Sequence, residues 1–383
     1  MNQKPPSCLI VVDTLDAPHG TEMFACIVAR ELRQRGWSLR FHTAHYDPKR
    51  SAWSDLVREA QAPVWRPHFW FLTRYELPCV VSALFFRSVS RRFAPDVIWS
   101  PTTDTFATRC LQKNAQAHGP PFFIHDPNDA SMCPHLPIKW PRLCDLVTGL
   151  SVHGSRQMLG AREVYGITKP VEVVWPGSLP PAVEPILPSF DRKVVRFGQF
   201  GRIYSMKGAI FTVAAFAKCL SAGCEAELHF YGDGPQRGDA WELAASLGIA
   251  DKVFFHGSYH HTEMDRFMAD VDVGLMPSLY EGFGLVMLEM MARGRPVISS
   301  DVGSSKEVLE AFDCGMVVPR ADVDALAAAM VTAARDTDRM RRMSVQARRI
   351  WHKHFTPQAF VDRLLAFWGR HGVPAATATP GSH

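Results

Sequence analysis

Two glutamates, Glu281 and Glu289, and two cations, Arg202 and Lys207, sit where the sequence asks for a chemical explanation. Glu289 lies among Val286, Met287, Leu288, Met290 and Met291, and a lone acid in such a run needs a partner or a ligand. The vicinal hydroxyls of a ribose would serve, because a carboxylate can accept both of their hydrogens. Glu281 comes eight residues earlier, roughly 12 Å along an ideal helix. It precedes the helix, so its carboxylate can fold over the N-terminus, where an acid is also a plain dipole partner. Arg202 and Lys207 follow Gly201 in the stretch FGRIYSMKG. A guanidinium fork and an ammonium point charge suit a diphosphate, although two cations in a surface loop are more often only solvated.

The elements that must position these groups are legible. From Met276 to Val308 the chain reads as a short apolar strand, the turn Glu281–Gly284, an apolar helix over Leu285 to Arg293, a stop at Gly294, and a strand from Pro296 to Ser299. A turn between a strand end and a helix start aims backbone N–H groups and the positive end of the helix dipole at one place, an anion site. Gly282, Phe283, Gly284 and Leu285 are its candidate donors. A second glycine turn, YGDGP at Tyr231 to Pro235, follows another strand. It places Gly232 near a ligand with little specificity of its own, and Asp233 reads as structural. Near the start, PHGTE puts Gly20 where a helix begins, so its N–H can approach a phosphate. His125 and Asp126 end a strand in FFIHDPND. A lone strand-end histidine is more often packed or hydrogen-bonded than catalytic, and Asp126 reads first as a turn acid.

The Glu281/Glu289 segment resembles the pair of glutamates separated by seven residues in retaining glycosyltransferases of family 4, which have the GT-B fold. The resemblance covers nearly the whole chain, strongly over 197–308 and weakly before Pro188. It implies that Glu281 lies beside the donor sugar, that Glu289 binds the ribose, and that the amides of Phe283 to Leu285 contact sugar or diphosphate. It further implies that Arg202 and Lys207 hold the diphosphate, that Gly201 and Gly232 line the nucleotide site, and that His125 lies near the sugar hydroxyls. Members of the family usually carry two consecutive glycines where this chain has His19 and Gly20, so the donor contact of Gly20 departs from the pattern. Retention at the anomeric carbon is implied by the resemblance alone.

Composition sets the frame. At 383 residues, 47% hydrophobic and 21% charged, the chain has room for two domains. A net charge of +4 is too mild for a dedicated nucleic-acid binder. The nine cysteines form no Cys-x-x-Cys pair and suit buried thiols in a reducing compartment. The N-terminus reads as a strand rather than a signal peptide, and no apolar run is long enough to cross a bilayer, which points to a cytoplasmic enzyme. Alternating strands and helices predict an α/β protein with two Rossmann-like, doubly wound parallel sheets facing across a cleft. The expected divisions are an acceptor-binding domain at 1–180, a nucleotide-sugar domain at 189–355, a helix at 356–370 crossing back to the first domain, and a disordered tail at 371–383. The Pro-rich stretch from Trp175 to Pro188 is the expected linker.

The reaction expected is metal-independent hexosyl transfer from a UDP- or GDP-sugar to a glycan, lipid-linked or other acceptor, as in bacterial surface polysaccharide or glycolipid synthesis. A non-hydrolysing sugar-nucleotide epimerase and an inactive nucleotide-binding protein of the same fold are the alternatives. Asp270-Val-Asp272 lacks an acidic cluster, and His256, His260 and His261 lack completing ligands, so neither reads as a metal site. In Trp65 to Phe93, aromatic residues alternate with Arg66, Arg74, Arg87, Arg91 and Arg92. That pattern fits a core helix with a basic face, or an interfacial segment touching anionic lipid.

Overall fold

The computed structural model describes residues 4–16, 20–66, 76–127 and 144–373. The chain divides into two compact units, one of residues 1–177 with 357–383 and the other of residues 178–356. Pro18, His19, most of the acceptor-side stretch 126–137, and residues 374–383 of the expected tail lie outside the described residues, as does Arg74.

The first unit holds seven strands, β1 (Ser7–Val11), β2 (Ser38–His42), β3 (Val64–Trp65), β4 (Val97–Ser100), β5 (Phe122–Asp126), β6 (Gly149–Val152) and β7 (Val171–Val173). They pair in the order β3-β2-β1-β4-β5-β6-β7, all parallel. Parallel strands covered on both faces read as continuous apolar runs, and β1 and β4 are buried at every position. Of the long basic–aromatic segment, the described residues include the helix Glu76–Phe93, with Phe86 and Val89 in the core and Leu84 and Phe85 exposed. The C-terminal helix Pro357–Arg370 belongs to this unit. It buries Phe360, Leu364, Phe367 and Trp368, and it packs against the helix Gly20–Gln34, where Phe360 meets Phe24. His371 to Val373, assigned to the tail on sequence grounds, are packed instead: Val373 is buried and His371 bonds Glu172.

The second unit holds β8 (Val195–Phe200), β9 (Ala226–Tyr231), β10 (Val253–Phe255), β11 (Val273–Met276), β12 (Val297–Ser300) and β13 (Gly315–Val318). The order is β10-β9-β8-β11-β12-β13, again all parallel. The Pro-rich stretch after Ser178 has no regular structure, yet it is clamped to this unit. Asp265 accepts the Ala182 N–H, Arg295 donates to the Ile186 carbonyl, and Arg348 pairs with Glu184. The eight described cysteines are buried free thiols. Among the described residues no helix is long and apolar enough to cross a membrane.

Three histidines are sealed inside the first unit. Burial holds His42 and His125 down at about 3 and His153 well below its usual range. Each is neutral when folded and takes up a proton on unfolding, so stability contributed above pH 6.5 is lost as the pH falls below it. Each contributes up to ~1.4 kcal/mol per pH unit. Asp104, raised to about 7 by burial, acts in the opposite sense and removes about one histidine's worth of that slope. Limited proteolysis in urea should therefore cleave the first unit at a lower urea concentration at about pH 5 than at about pH 7. Replacing His42 by Phe should flatten the dependence, and identical midpoints at the two pH values would contradict this reading.

Candidate functional site

In the sheet of the second unit the winding reverses between β8 and β11. Successive strands run outward from β8 through β9 to β10, and from β11 through β12 to β13. At such a reversal the loops leaving the two central strands part and open a crevice at their carboxyl ends. Arg202 and Lys207 follow β8, and Glu281 and Glu289 follow β11.

Four glycines let these loops approach one another. A side chain on Gly208 would lie 2.2 Å from the Pro277 carbonyl, and one on Gly232 would lie 2.0 Å from the Gly201 carbonyl. Gly201 and Gly232 also have φ of +111° and +136°, which side-chain-bearing residues avoid. On the other flank, a side chain on Gly303 after β12 would meet the Phe283 carbonyl at 2.9 Å. The two central loops are then hydrogen-bonded, with Leu279 N–H donating to the Met206 carbonyl at 2.8 Å. From within β8, Gln199 donates to the Lys207 carbonyl at 2.8 Å and accepts from Thr212 at 2.7 Å, fixing the backbone that carries Lys207.

This frame brings Lys207 Nζ to 2.5 Å from Glu281 Oε1. The same oxygen accepts from Ser278 Oγ at 2.7 Å. Glu281 therefore does not fold over the helix start as its sequence position suggests. A cation at hydrogen-bond distance outweighs a dipole worth less than ~1 kcal/mol at an exposed helix end. Arg202 is exposed, lies 5.3 Å from the Tyr204 ring, and has no acidic partner among the described residues. Gly284, at φ +94°, opens the helix Leu285–Ala292, whose first N–H groups have no intrahelical acceptor.

Glu289 is on the second turn of that helix, partly open to solvent, and its carboxylate accepts no hydrogen bond from the described residues. Burial pushes it up to about 7, with Arg293 acting against the rise. Arg293 is in turn held by Asp265, whose Oδ1 is 2.7 Å from Nε, and Arg293 donates to the Glu289 carbonyl at 3.0 Å. Tyr259 feels the Glu289 charge as well, and burial raises its hydroxyl further. Ser278, Tyr259, Asp265 and Arg293 escaped the sequence reading. Ser278 was legible only as a strand end, and the others join the group through contacts that no spacing encodes.

The first unit carries the candidates Gly20, His125 and Asp126. Gly20 opens the helix Gly20–Gln34. His125 is fully buried, with Nδ1 2.8 Å from Ser151 Oγ, and ringed by Phe24, His153 and Phe360 at 5.9, 4.6 and 5.3 Å between centroids. Its Nε2 is buried and has no hydrogen-bond partner among the described residues. Asp126 is buried at the end of β5, 3.3 Å from Thr103 Oγ1. The sequence decoys have local uses: Asp272 accepts the Arg196 N–H at 2.9 Å, His260 bonds Thr262, and His256 stacks on Tyr231.

Residues 193–336 match the family model described as Glycosyl transferases group 1. The chain is 28% identical over 183 residues to an alpha-D-kanosaminyltransferase of Streptomyces kanamyceticus, covering 48% of this chain and 47% of that protein. It is 30% identical over 164 residues to an MMP alpha-(1->4)-mannosyltransferase of Mycolicibacterium hassiacum, covering 43% and 40%. The chain thus spans about half or less of the length of the curated relatives it matches. Among solved structures it is similar to sucrose-phosphate synthase of Thermosynechococcus elongatus, with a TM-score of 0.79 at 18% identity over 95% of this chain and 98% of that one. It is also similar to Anabaena HepE in complex with UDP and glucose, with a TM-score of 0.76 at 18% identity over 95% and 100%. These likenesses establish the fold, the two-unit GT-B architecture, and agree with the fold class expected from the sequence.

The geometry makes two predictions about stability. Gly232→Ala should unfold at a denaturant concentration lower by the equivalent of about 2 kcal/mol or more, since it adds both a clash and backbone strain. Glu289→Gln should stabilise the protein at about pH 8 and be nearly neutral at about pH 4, because the raised carboxyl destabilises the fold only once the pH passes its unfolded value of 4.5 and climbs towards 7. Thermal melts at the two pH values measure this, and a variant less stable at the higher pH would refute it.

Proposed function

We propose that the protein is a retaining glycosyltransferase that moves a hexosyl group from a nucleoside diphosphate sugar, with UDP or GDP as carrier, to a glycan, lipid-linked or other hydroxyl acceptor. The observation that carries this reading is the convergence of Lys207, Glu281, Arg202 and the helix start at Gly284 on one sheet reversal, with Glu289 one turn further on. Departure of a nucleoside diphosphate builds negative charge, and charges and dipoles already in place stabilise it with little reorganisation. Lys207 supplies the point charge and, through its ion pair, sets Glu281 beside the sugar. Arg202 supplies the fork for the diphosphate, and Glu289 accepts the ribose hydroxyls. The match to the group 1 family and the UDP complexes of HepE support the same assignment.

Lys207→Ala and Glu289→Ala should each lower transfer at least ~100-fold while leaving the melting temperature within a few degrees, as removal of one oxyanion donor does elsewhere. Sugar release from each nucleotide sugar, with and without acceptor, is the assay. Full turnover in either variant would remove the assignment, and an epimerised free donor would replace it with the epimerase.

Donor affinity should depend on pH through Glu289, which accepts both ribose hydrogens only as a carboxylate. Affinity rises as the pH approaches about 7 and levels above it. The charged groups facing Glu289 are Arg293 and its partner Asp265, and the neutral Tyr259 phenol also faces it. Arg293→Gln removes a nearby positive charge and should move the midpoint up. Asp265→Asn leaves Arg293 unneutralised and should move it down. Shifts in the same direction would contradict this arrangement.

Weak association with anionic membranes is part of the proposal. Leu84 and Phe85 are 62% and 47% exposed on the helix that also exposes Arg87, Arg91 and Arg92. Sedimentation with anionic vesicles at low and high salt tests it, and no binding at low salt would end it.

A further inference from the structure

At the carboxyl ends of β1 and β2, in the first unit, Asp13, His45 and Cys79 come together. One carboxylate oxygen, one imidazole nitrogen and the thiol sulfur all lie within 4.8 Å of one another. The Cys79 thiol donates to Asp13 Oδ1 at 2.9 Å.

The backbones that carry the three side chains are fixed to one another. The Asp13 carbonyl accepts the Ala44 and His45 N–H groups at 2.9 and 3.1 Å, and Leu15 N–H donates to the His45 carbonyl at 3.0 Å. Thr43 Oγ1 adds a bond to the same Asp13 carbonyl at 2.9 Å. The helix Glu76–Phe93 is tied to this junction one turn after Cys79, where Ser82 Oγ donates to the Thr43 carbonyl at 3.0 Å. Three potential ligands on three elements are thus preorganised by backbone bonds as well as by the Cys79–Asp13 hydrogen bond.

We propose that Asp13, His45 and Cys79 form a binding site for a divalent cation of the zinc class, with the fourth position left to water. The donor set selects the ion: a thiolate and an imidazole exclude Mg²⁺ and Ca²⁺, which require all-oxygen shells, and suit Zn²⁺ or Co²⁺ in tetrahedral geometry. A carboxylate and a thiolate neutralise the two positive charges, while the neutral imidazole donates a lone pair. Coordination breaks the S–H bond and forms a metal–sulfur bond. The thiol proton leaves to solvent and no electrons change hands. Asp13 and His45 keep some exposure, which leaves a route of entry, and Cys79 is buried beneath them. Burial and the Asp13 carboxylate push the Cys79 thiol up, so without a cation the sulfur stays protonated on the carboxylate. The adjacent helix contributes one charge of each sign, from Asp104 and Arg109. The bound ion would pin the start of the helix Glu76–Phe93 to the sheet edge, a staple in the unit assigned to the acceptor. Its test is independent of the donor assignment, because it reads metal binding and not transfer.

The experiment is a titration of the full-length, chelator-stripped protein with Co²⁺ and then Zn²⁺. The proposal expects about one equivalent of Co²⁺ to produce the visible bands of a tetrahedral ion and a thiolate-to-cobalt charge-transfer band, both displaced by Zn²⁺. Cys79→Ser should abolish the charge-transfer band and weaken Zn²⁺ binding about 100-fold, and His45→Asn should weaken it at least about 10-fold. Zn²⁺ should raise the melting temperature of the wild type and not of Cys79→Ser. A cobalt spectrum without charge transfer in the wild type, or equal Zn²⁺ affinity in Cys79→Ser, would overturn the site and leave a plain thiol–carboxylate hydrogen bond. If Cys79→Ser fails to fold, X-ray absorption of the Zn²⁺-loaded wild type decides: one sulfur neighbour supports the site and a shell of only nitrogen and oxygen refutes it.

Discussion

The second unit depends on one constraint: four loops must meet, backbone against backbone, where the order of a parallel sheet reverses. A carbonyl sits 2.0 to 2.9 Å from where a side chain would begin at Gly232, Gly208 and Gly303. No other residue type fits there without moving the loop that faces it. Those contacts hold the β8 and β11 loops close enough for Lys207 to reach Glu281, and they leave Arg202 and the start of the helix Leu285–Ala292 open towards the same edge. Charged side chains and backbone N–H groups from separate loops are gathered at one edge of the sheet as a consequence. The diphosphate chemistry proposed there follows from that arrangement rather than from any one residue.

The ionisable groups divide by task. Lys207 and Glu281 satisfy each other, so neither charge is stranded in the absence of a ligand. Glu289 has no such partner and is lifted to about 7 by its surroundings. Under the function proposed above, the ribose hydroxyls would offset that cost to stability. The Arg293–Asp265 pair behind it moderates the cost, and Asp265 also holds Ala182 of the Pro-rich stretch. The stretch that looks like a loose linker in sequence is in this way part of the same framework.

Much of the fold was legible because parallel strands in a covered sheet are unbroken apolar runs. The strands at Val97–Ser100 and Val273–Met276 are such runs. The two-residue edge strand Val64–Trp65 was not legible, since so short a run carries no periodicity. The apolar Leu146 and Val147 look like part of the next strand, yet it begins only at Gly149, because Cys144–Leu146 close a 3-10 turn. Of the site, residue types and the glycine turns could be read in order along the chain. The Lys207–Glu281 ion pair, the Arg293–Asp265 support and the Asp13–His45–Cys79 group could not, because each is made by topology between distant segments. The burial of the strand-end His125 among aromatic rings is likewise made by contacts between distant segments.

Hydrogen–deuterium exchange on the full chain, with and without a nucleoside diphosphate, tests the central claim most directly. The account predicts added protection at the amides of 201–208, 231–235 and 282–287 together, with the remainder of the second unit little changed. Protection confined to other segments, or none at a saturating concentration of either UDP or GDP, would contradict it.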